Sequence, residues 1–277
     1  MKHFSFDSKL LVQMVKYAIV LVPNSFMWWI MNSSDRLMVT AMVGVAANGI
    51  YAVAYKIPTL LSSVTQVFNQ AWSYSAIREE GSSDEEKYNN DIYNRLVVIV
   101  CICAAGLMMV MKFFLRYYVG AEYYIAWKYT PVLIIGFIFS TLGTFVATAY
   151  TVHKDSMGYL VSGTAGAMVN IILNFALIPQ MGAMGAALAT AASYFIVFYY
   201  RIRDTKKYLK LYIWQKRHIF AGTLLLVQAI TMFINNPVGQ LLLILEFCVM
   251  ILIYVNDIKQ LFFAVTKICR LKNKKEH

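Results

Sequence analysis

Eight apolar blocks dominate the chain, near residues 11–43, 46–76, 93–115, 125–150, 157–178, 183–200, 218–234 and 239–258, with short charged or polar links between them. Blocks of this length match the roughly 20 apolar residues that a helix needs to cross a hydrocarbon core, and they leave no stretch long enough for a sizeable extramembrane domain. Composition supports the reading. Of 277 residues, 60% are hydrophobic and only 14% charged, against roughly 25% charged in soluble domains. The expected fold is all-α, a polytopic transmembrane helix bundle of about eight spans in one domain. A basic tail follows from residue 259 to 277.

The first two blocks are longer than a bilayer requires and could be cut at Asn32–Arg36 and Lys56 into three shorter spans. Charge placement decides between the two layouts. With eight spans and a cytoplasmic N-terminus, 20 of the lysines and arginines fall on the inner side, and only Lys112, Arg116 and Lys128 fall outside. Nine spans would give 18 against 7. The positive-inside rule favours eight spans with both termini cytoplasmic. The formal charge of +11 is then mainly a map of topology, and nucleic acid is not an expected partner, since such binders carry their basic patch on a water-soluble fold.

Aromatic residues mark the two boundaries. Tyr117, Tyr118, Tyr123, Tyr124, Trp127 and Tyr129 cluster at one, and Tyr199, Tyr200, Tyr208, Tyr212 and Trp214 at the other, as amphipathic rings at an interface should. Lys2 and Lys9 precede the first apolar run, but Lys16 interrupts it and no small-residue cleavage site follows, so this run reads as a retained span. The four cysteines offer no metal framework, and His3, His153, His218 and His277 fall in loops or tails. No phosphate loop, HExxH or GxSxG signature occurs. Neither an enzyme nor a cofactor or metal is expected.

Polar residues at membrane depth are costly, about 2.5–3.5 kcal/mol for each charge, and are commonly kept for function or for pairing. Asp35 and Arg36 lie about eight residues before the turn at Gly44, and Lys56 about ten after Ala46, which puts them at similar depths of roughly 12–15 Å in a helical hairpin. Two cations and one carboxylate suit an anionic headgroup such as a diphosphate. Burial-driven pairing of Asp35 with Arg36, or reach to interfacial water, fits the same residues. Gln66, Asn69 and Gln70 share a helix face at i, i+3, i+4 spacing, with Trp72 nearby and Pro58 expected to kink the helix. Amides beside a ring suit a sugar, and equally suit hydrogen bonding between helices. Asn170 and Asn174 are candidates for that second role. Glu246 is an isolated carboxylate in the last block, a proton site or a group reaching the interface. In the sixth block, Gly182/Ala186/Thr190 and Gly185/Ala189/Ser193 recur every four residues and read as a packing face.

The run Ser33-Ser34-Asp35-Arg36-Leu37-Met38-Val39, followed by Gly49-Ile50-Tyr51-Ala52-Val53-Ala54-Tyr55-Lys56-Ile57 and Gln70-Ala71-Trp72, resembles the second half of Wzx-type polysaccharide flippases. These belong to the MATE-like multidrug/oligosaccharidyl-lipid/polysaccharide exporter superfamily. Gly182-Ala183-Met184-Gly185-Ala186-Ala187 is similar to that family's Gly-x-x-Gly-Ala-Ala helix start. The resemblance covers about residues 10 to 260. It implies one MATE-like lobe plus extra C-terminal helices, in a plasma-membrane transporter that moves a polyprenyl-diphosphate-linked oligosaccharide by alternating access during O-antigen, capsule or exopolysaccharide biosynthesis.

In that frame Arg36 and Lys56 would receive the diphosphate; Gln66, Asn69, Gln70 and Trp72 would contact sugar; and Asp35 or Glu246 would couple an ion. The family carries twelve to fourteen spans, so about eight imply a partial or half-size chain, or pairing with a second chain that supplies the first lobe. Membrane lipids and the polysaccharide polymerase machinery are the other implied partners. A drug or metabolite antiporter of the same superfamily and a non-transporting scaffold for a glycan synthase are the competing readings.

Overall fold

The computed structural model describes residues 8–260 and 263. Among the described residues eight α-helices follow one another: α1 Ser8–Met42, α2 Val45–Glu79, α3 Glu85–Tyr118, α4 Thr130–Val152, α5 Ser156–Met181, α6 Ala183–Asp204, α7 Lys216–Thr231 and α8 Pro237–Ile253. A 3-10 segment, Ala121–Lys128, joins α3 to α4. No strand occurs among the described residues. Most of the tail from 259 to 277 lies outside them.

The long first two blocks are single helices. α1 and α2 each run 35 residues, about 52 Å at 1.5 Å per residue, and neither is broken at Pro23 or Pro58. Their tight reversal turns on Gly44, whose φ of 124° is open to glycine and strained for other residues. Helices α3, α4, α5 and α6 are long and apolar enough to cross a membrane, while α7 and α8 are shorter, at 16 and 17 residues.

α4 and α6 form the centre of the bundle, and α6 is flanked by α5, which in turn carries α1. Small residues set these approaches. A Cβ on Gly136 of α4 would sit 2.8 Å from the Ala191 Cα of α6, and one on Gly185 would collide with the Leu177 carbonyl of α5. Ala186, Ala189, Thr190 and Ser193 are buried in the same rows, so the expected packing face of α6 is where its neighbours press closest. The first part of α1 instead exposes Leu11, Val12, Val15, Ile19, Val22 and Phe26.

Loops tie each end of the bundle together. At one end Tyr212 donates to Glu86 (2.6 Å), Lys207 pairs with Asp155 (3.2 Å) and His153 approaches Glu80 (3.9 Å). At the other, Lys112 donates to Asn235 (2.8 Å) and Trp127 packs on Phe233. Exposed Tyr212 and Trp214 mark the first end, exposed Tyr117 and Tyr118 the second.

Candidate functional site

Gln66, Asn69 and Gln70 come together as their spacing predicts. They line one side of a groove of about 380 Å³ with Ser62, Thr65 and Ser73, and α4 closes the other side with Ser140, Thr141 and Thr144. All nine lining residues carry hydroxyls or amides, and none is charged. Thr65 of α2 meets Thr141 of α4 at 3.4 Å and joins the walls, while Ser73 donates to the Asn69 carbonyl within α2 and Thr144 to the Ser140 carbonyl within α4. The Asn69 side-chain oxygen is buried and has no hydrogen-bond partner, an acceptor available to a ligand hydroxyl. The α4 half of this site was hidden in a block that reads as apolar, although the i, i+4 spacing of Ser140 and Thr144 is its trace in the sequence.

Trp72 lies elsewhere. Its ring is only 4% exposed and stacks on Phe145 at 4.5 Å and on Tyr88 at 6.2 Å. Two residues beyond Gln70, a helix has turned by about 200°, which carries the indole away from the amide face and into the core between α2, α3 and α4.

Asp35 is fully buried. Its Oδ2 accepts from the Thr190 hydroxyl of α6 at 2.6 Å and the Tyr51 hydroxyl of α2 at 2.9 Å, while Oδ1 has no hydrogen-bond partner. One carboxylate thus ties three helices. Thr190 owes this role to the same small-residue row that lets α6 approach closely; the sequence marks the row but not the hydrogen bond. Arg36 makes no ion pair with Asp35 among the described residues; its guanidinium lies 5.0 Å from the Tyr55 ring centre, and its buried Nε lacks a hydrogen-bond partner. Lys56 is exposed in a separate cavity between α2 and α3, beside Phe114 and Tyr118. Arg36 does not line the cavity that holds Lys56.

Asn170 and Asn174 act between and within helices: Ser34 of α1 and Asn174 both donate to the Asn170 side-chain oxygen, at 2.9 and 3.0 Å. Glu246 of α8 is nearly buried and accepts from Thr231 of α7 at 2.7 Å. It belongs to the α7–α8 pair and not to the α2–α4 groove. Among the described residues no cluster of histidine, cysteine or acidic side chains could hold a metal ion.

Sequence reading missed one charge. Arg201, near the end of α6, is fully buried; Nε donates to Ser162 of α5 and one terminal nitrogen to the Gly143 carbonyl of α4, both at 3.0 Å. Trp28 of α1 and Tyr159 of α5 face it at 5.3 and 5.0 Å. Its position among seven cations between residues 201 and 217 makes it look like one more loop charge. The preceding helical run through Tyr200 is the only hint that it sits inside.

The family described as polysaccharide biosynthesis protein matches residues 2–128, a little under half of the chain. No curated protein matches. Among solved structures, the lipid II flippase MurJ in an inward closed conformation aligns with a TM-score of 0.64 at 17% identity, over 94% of this chain and 57% of that one. An outward-facing multidrug resistance MATE family transporter of the MOP superfamily gives 0.57 at 15% identity, over 79% and 52%. A MOP superfamily transporter from Pyrococcus furiosus gives 0.58 at 15%, also over 79% and 52%. The chain thus spans little more than half the length of each. It is a multi-pass membrane protein with the MurJ/MATE fold, and its first 128 residues are similar to polysaccharide biosynthesis proteins.

Proposed function

We propose that this chain forms one side of a plasma-membrane flippase that moves a polyprenyl-diphosphate-linked oligosaccharide for surface polysaccharide assembly. The observation that carries this reading is the α2–α4 groove, an uncharged cleft of hydroxyls and amides. Such groups exchange hydrogen bonds with sugar hydroxyls without the cost of desolvating an ion. A cationic drug would be better served by a carboxylate, and the groove lining has none. The family match to polysaccharide biosynthesis proteins and the fold shared with a lipid II flippase point the same way.

In this reading Arg36 receives the diphosphate, because its guanidinium retains an unused donor and can fork across two oxygens; Lys56 supplies a second positive charge from the α3 side. Asp35 and Glu246 each keep one carboxylate oxygen without a hydrogen-bond partner and are the candidates for ion coupling. A first lobe, on the same or a second chain, would close the cavity over α1 and α2. The links carrying most cations would face the cytoplasm, where the polysaccharide polymerase machinery's substrate is loaded.

Complementation of a flippase-deficient strain tests the site. The triple variant Gln66→Ala/Asn69→Ala/Gln70→Ala, and separately Arg36→Ala, should abolish polysaccharide export while membrane insertion persists. Full rescue by the triple variant would remove the groove from the mechanism. If Gly185→Leu abolished export while the triple variant rescued it, a scaffold held by helix packing would replace the transporter.

A further inference from the structure

A second polar cavity lies where the end of α3 meets the α3–α4 link and the α7–α8 turn. It encloses about 640 Å³, and its lining includes Lys112, Arg116, Trp127, Asn236, Gln240 and Leu243, with two cations and no carboxylate. Lys112 is held at the wall: its ammonium donates to the Met232 carbonyl and to Asn235, and lies 4.1 Å from the Trp127 ring centre. Arg116, one turn further along the same face, is exposed and makes no hydrogen bond or ion pair among the described residues. The N-terminus of α8, capped by Asn236, opens at the same rim, adding the positive end of a helix dipole.

We propose that this cavity binds the phosphate of an anionic bilayer lipid, with Arg116 as the main ligand and Lys112 as a fixed second charge. A free guanidinium beside a pinned ammonium is a natural phosphate clamp. Its height in the bundle favours a lipid over a soluble anion: the cavity sits at the aromatic boundary marked by Tyr117, Tyr124 and Trp127, where headgroups lie. Phe113 and Leu243 provide an apolar side to the same cavity for the start of an acyl chain.

The test uses the full chain in nanodiscs of equal phosphatidylglycerol and phosphatidylcholine, followed by native mass spectrometry. The wild type should retain phosphatidylglycerol in preference, and Arg116→Gln should lower the retained fraction about tenfold, equivalent to about 1.4 kcal/mol. Arg116 holds no structural contact, so the variant should fold, and Arg116→Lys should recover part of the binding. Equal retention of the two lipids by the wild type, or unchanged retention by Arg116→Gln, would overturn the proposal. Displacement of the bound lipid by millimolar pyrophosphate would reassign the site to a soluble anion, and preference for farnesyl diphosphate over phosphatidylglycerol would make it part of the cargo path. The site is separate from the α2–α4 groove, so its lipid preference can hold or fail whatever becomes of the transport reading.

Discussion

Asp35 and Arg201 are both fully buried charges, and among the described residues neither has an ion-pair partner, yet they are solved in different ways. Asp35 is held by two hydroxyls through one oxygen and keeps the other oxygen unbonded. Arg201 is wedged among a carbonyl, a hydroxyl and two rings, which engage its Nε, one terminal nitrogen and the faces of the guanidinium, while the other terminal nitrogen is buried without a hydrogen-bond partner. The free oxygen of the small anion can take up a proton without breaking either bond. A long planar cation fills its site and fastens α1, α4, α5 and α6 together. The first arrangement fits a group whose charge changes in use, the second a group whose charge is simply endured.

The largest expected effect follows from that difference. Arg201→Ala removes two hydrogen bonds and the packing against Trp28 and Tyr159, and should cost about 3–5 kcal/mol in unfolding measurements in detergent micelles. Arg201→Met keeps the stem and discards the charge, and should recover much of the loss, because the charge itself has no ion-pair partner to lose. If Met proved as damaging as Ala, the guanidinium would be more than a fastener. Next in size is Gly166 of α5, which lies between the two charges. A Cβ there would strike Val197 of α6 and the Met31 sulfur of α1, so Gly166→Ala should destabilise by about 1–3 kcal/mol through overpacking. A neutral outcome would mean that the α1–α5–α6 contact is looser than its geometry indicates.

The same contrast shows which parts of the molecule were legible in the sequence. Helix number and order follow from the apolar blocks, because each block must satisfy its own backbone hydrogen bonds and does so as a helix. The amide face of α2 follows from 3.6-residue periodicity, and the α6 packing rows from small residues every four. What stayed hidden depends on tertiary packing. Trp72 shares a sequence neighbourhood with Gln70 but not a face, and its destination was set by Phe145, 73 positions away. Arg36 and Lys56 are expected at matched depth from their positions along α1 and α2, yet depth along a helix says nothing about the angle around it. Arg201 was concealed by its cationic neighbours, since a charge at the end of a span can lie in water or turn inward with identical local sequence.

For Asp35 the expected changes in stability and in function should separate. Asp35→Asn keeps one carbonyl oxygen for Thr190 and Tyr51 and should cost no more than about 1 kcal/mol, whereas Asp35→Ala forfeits both bonds and should cost about 2. If Asp35 couples an ion, the Asn variant should fold and insert but fail to restore polysaccharide export; normal export would place Asp35 with Arg201 as a structural charge.

The smallest effect sets a partly exposed counterpart beside these buried groups. At the α4–α5 link, burial alone would raise the Asp155 carboxyl, but the Gly158 N–H, Lys207 and Tyr208 outweigh it and hold the group below its ordinary value of 3.8. A carboxylate lowered by folding stabilises the fold above its unfolded pKa, and that contribution disappears as pH falls through the folded pKa. The loss should therefore appear only below about pH 3.8. Lys207 is half exposed, so screening keeps the pair's contribution under about 1 kcal/mol. Titrating stability against Asp155→Asn, at low salt and at high salt, should show a difference that high salt reduces. Added salt should leave the Arg201→Ala penalty unchanged, because a charge surrounded by protein on every side is beyond the reach of counterions.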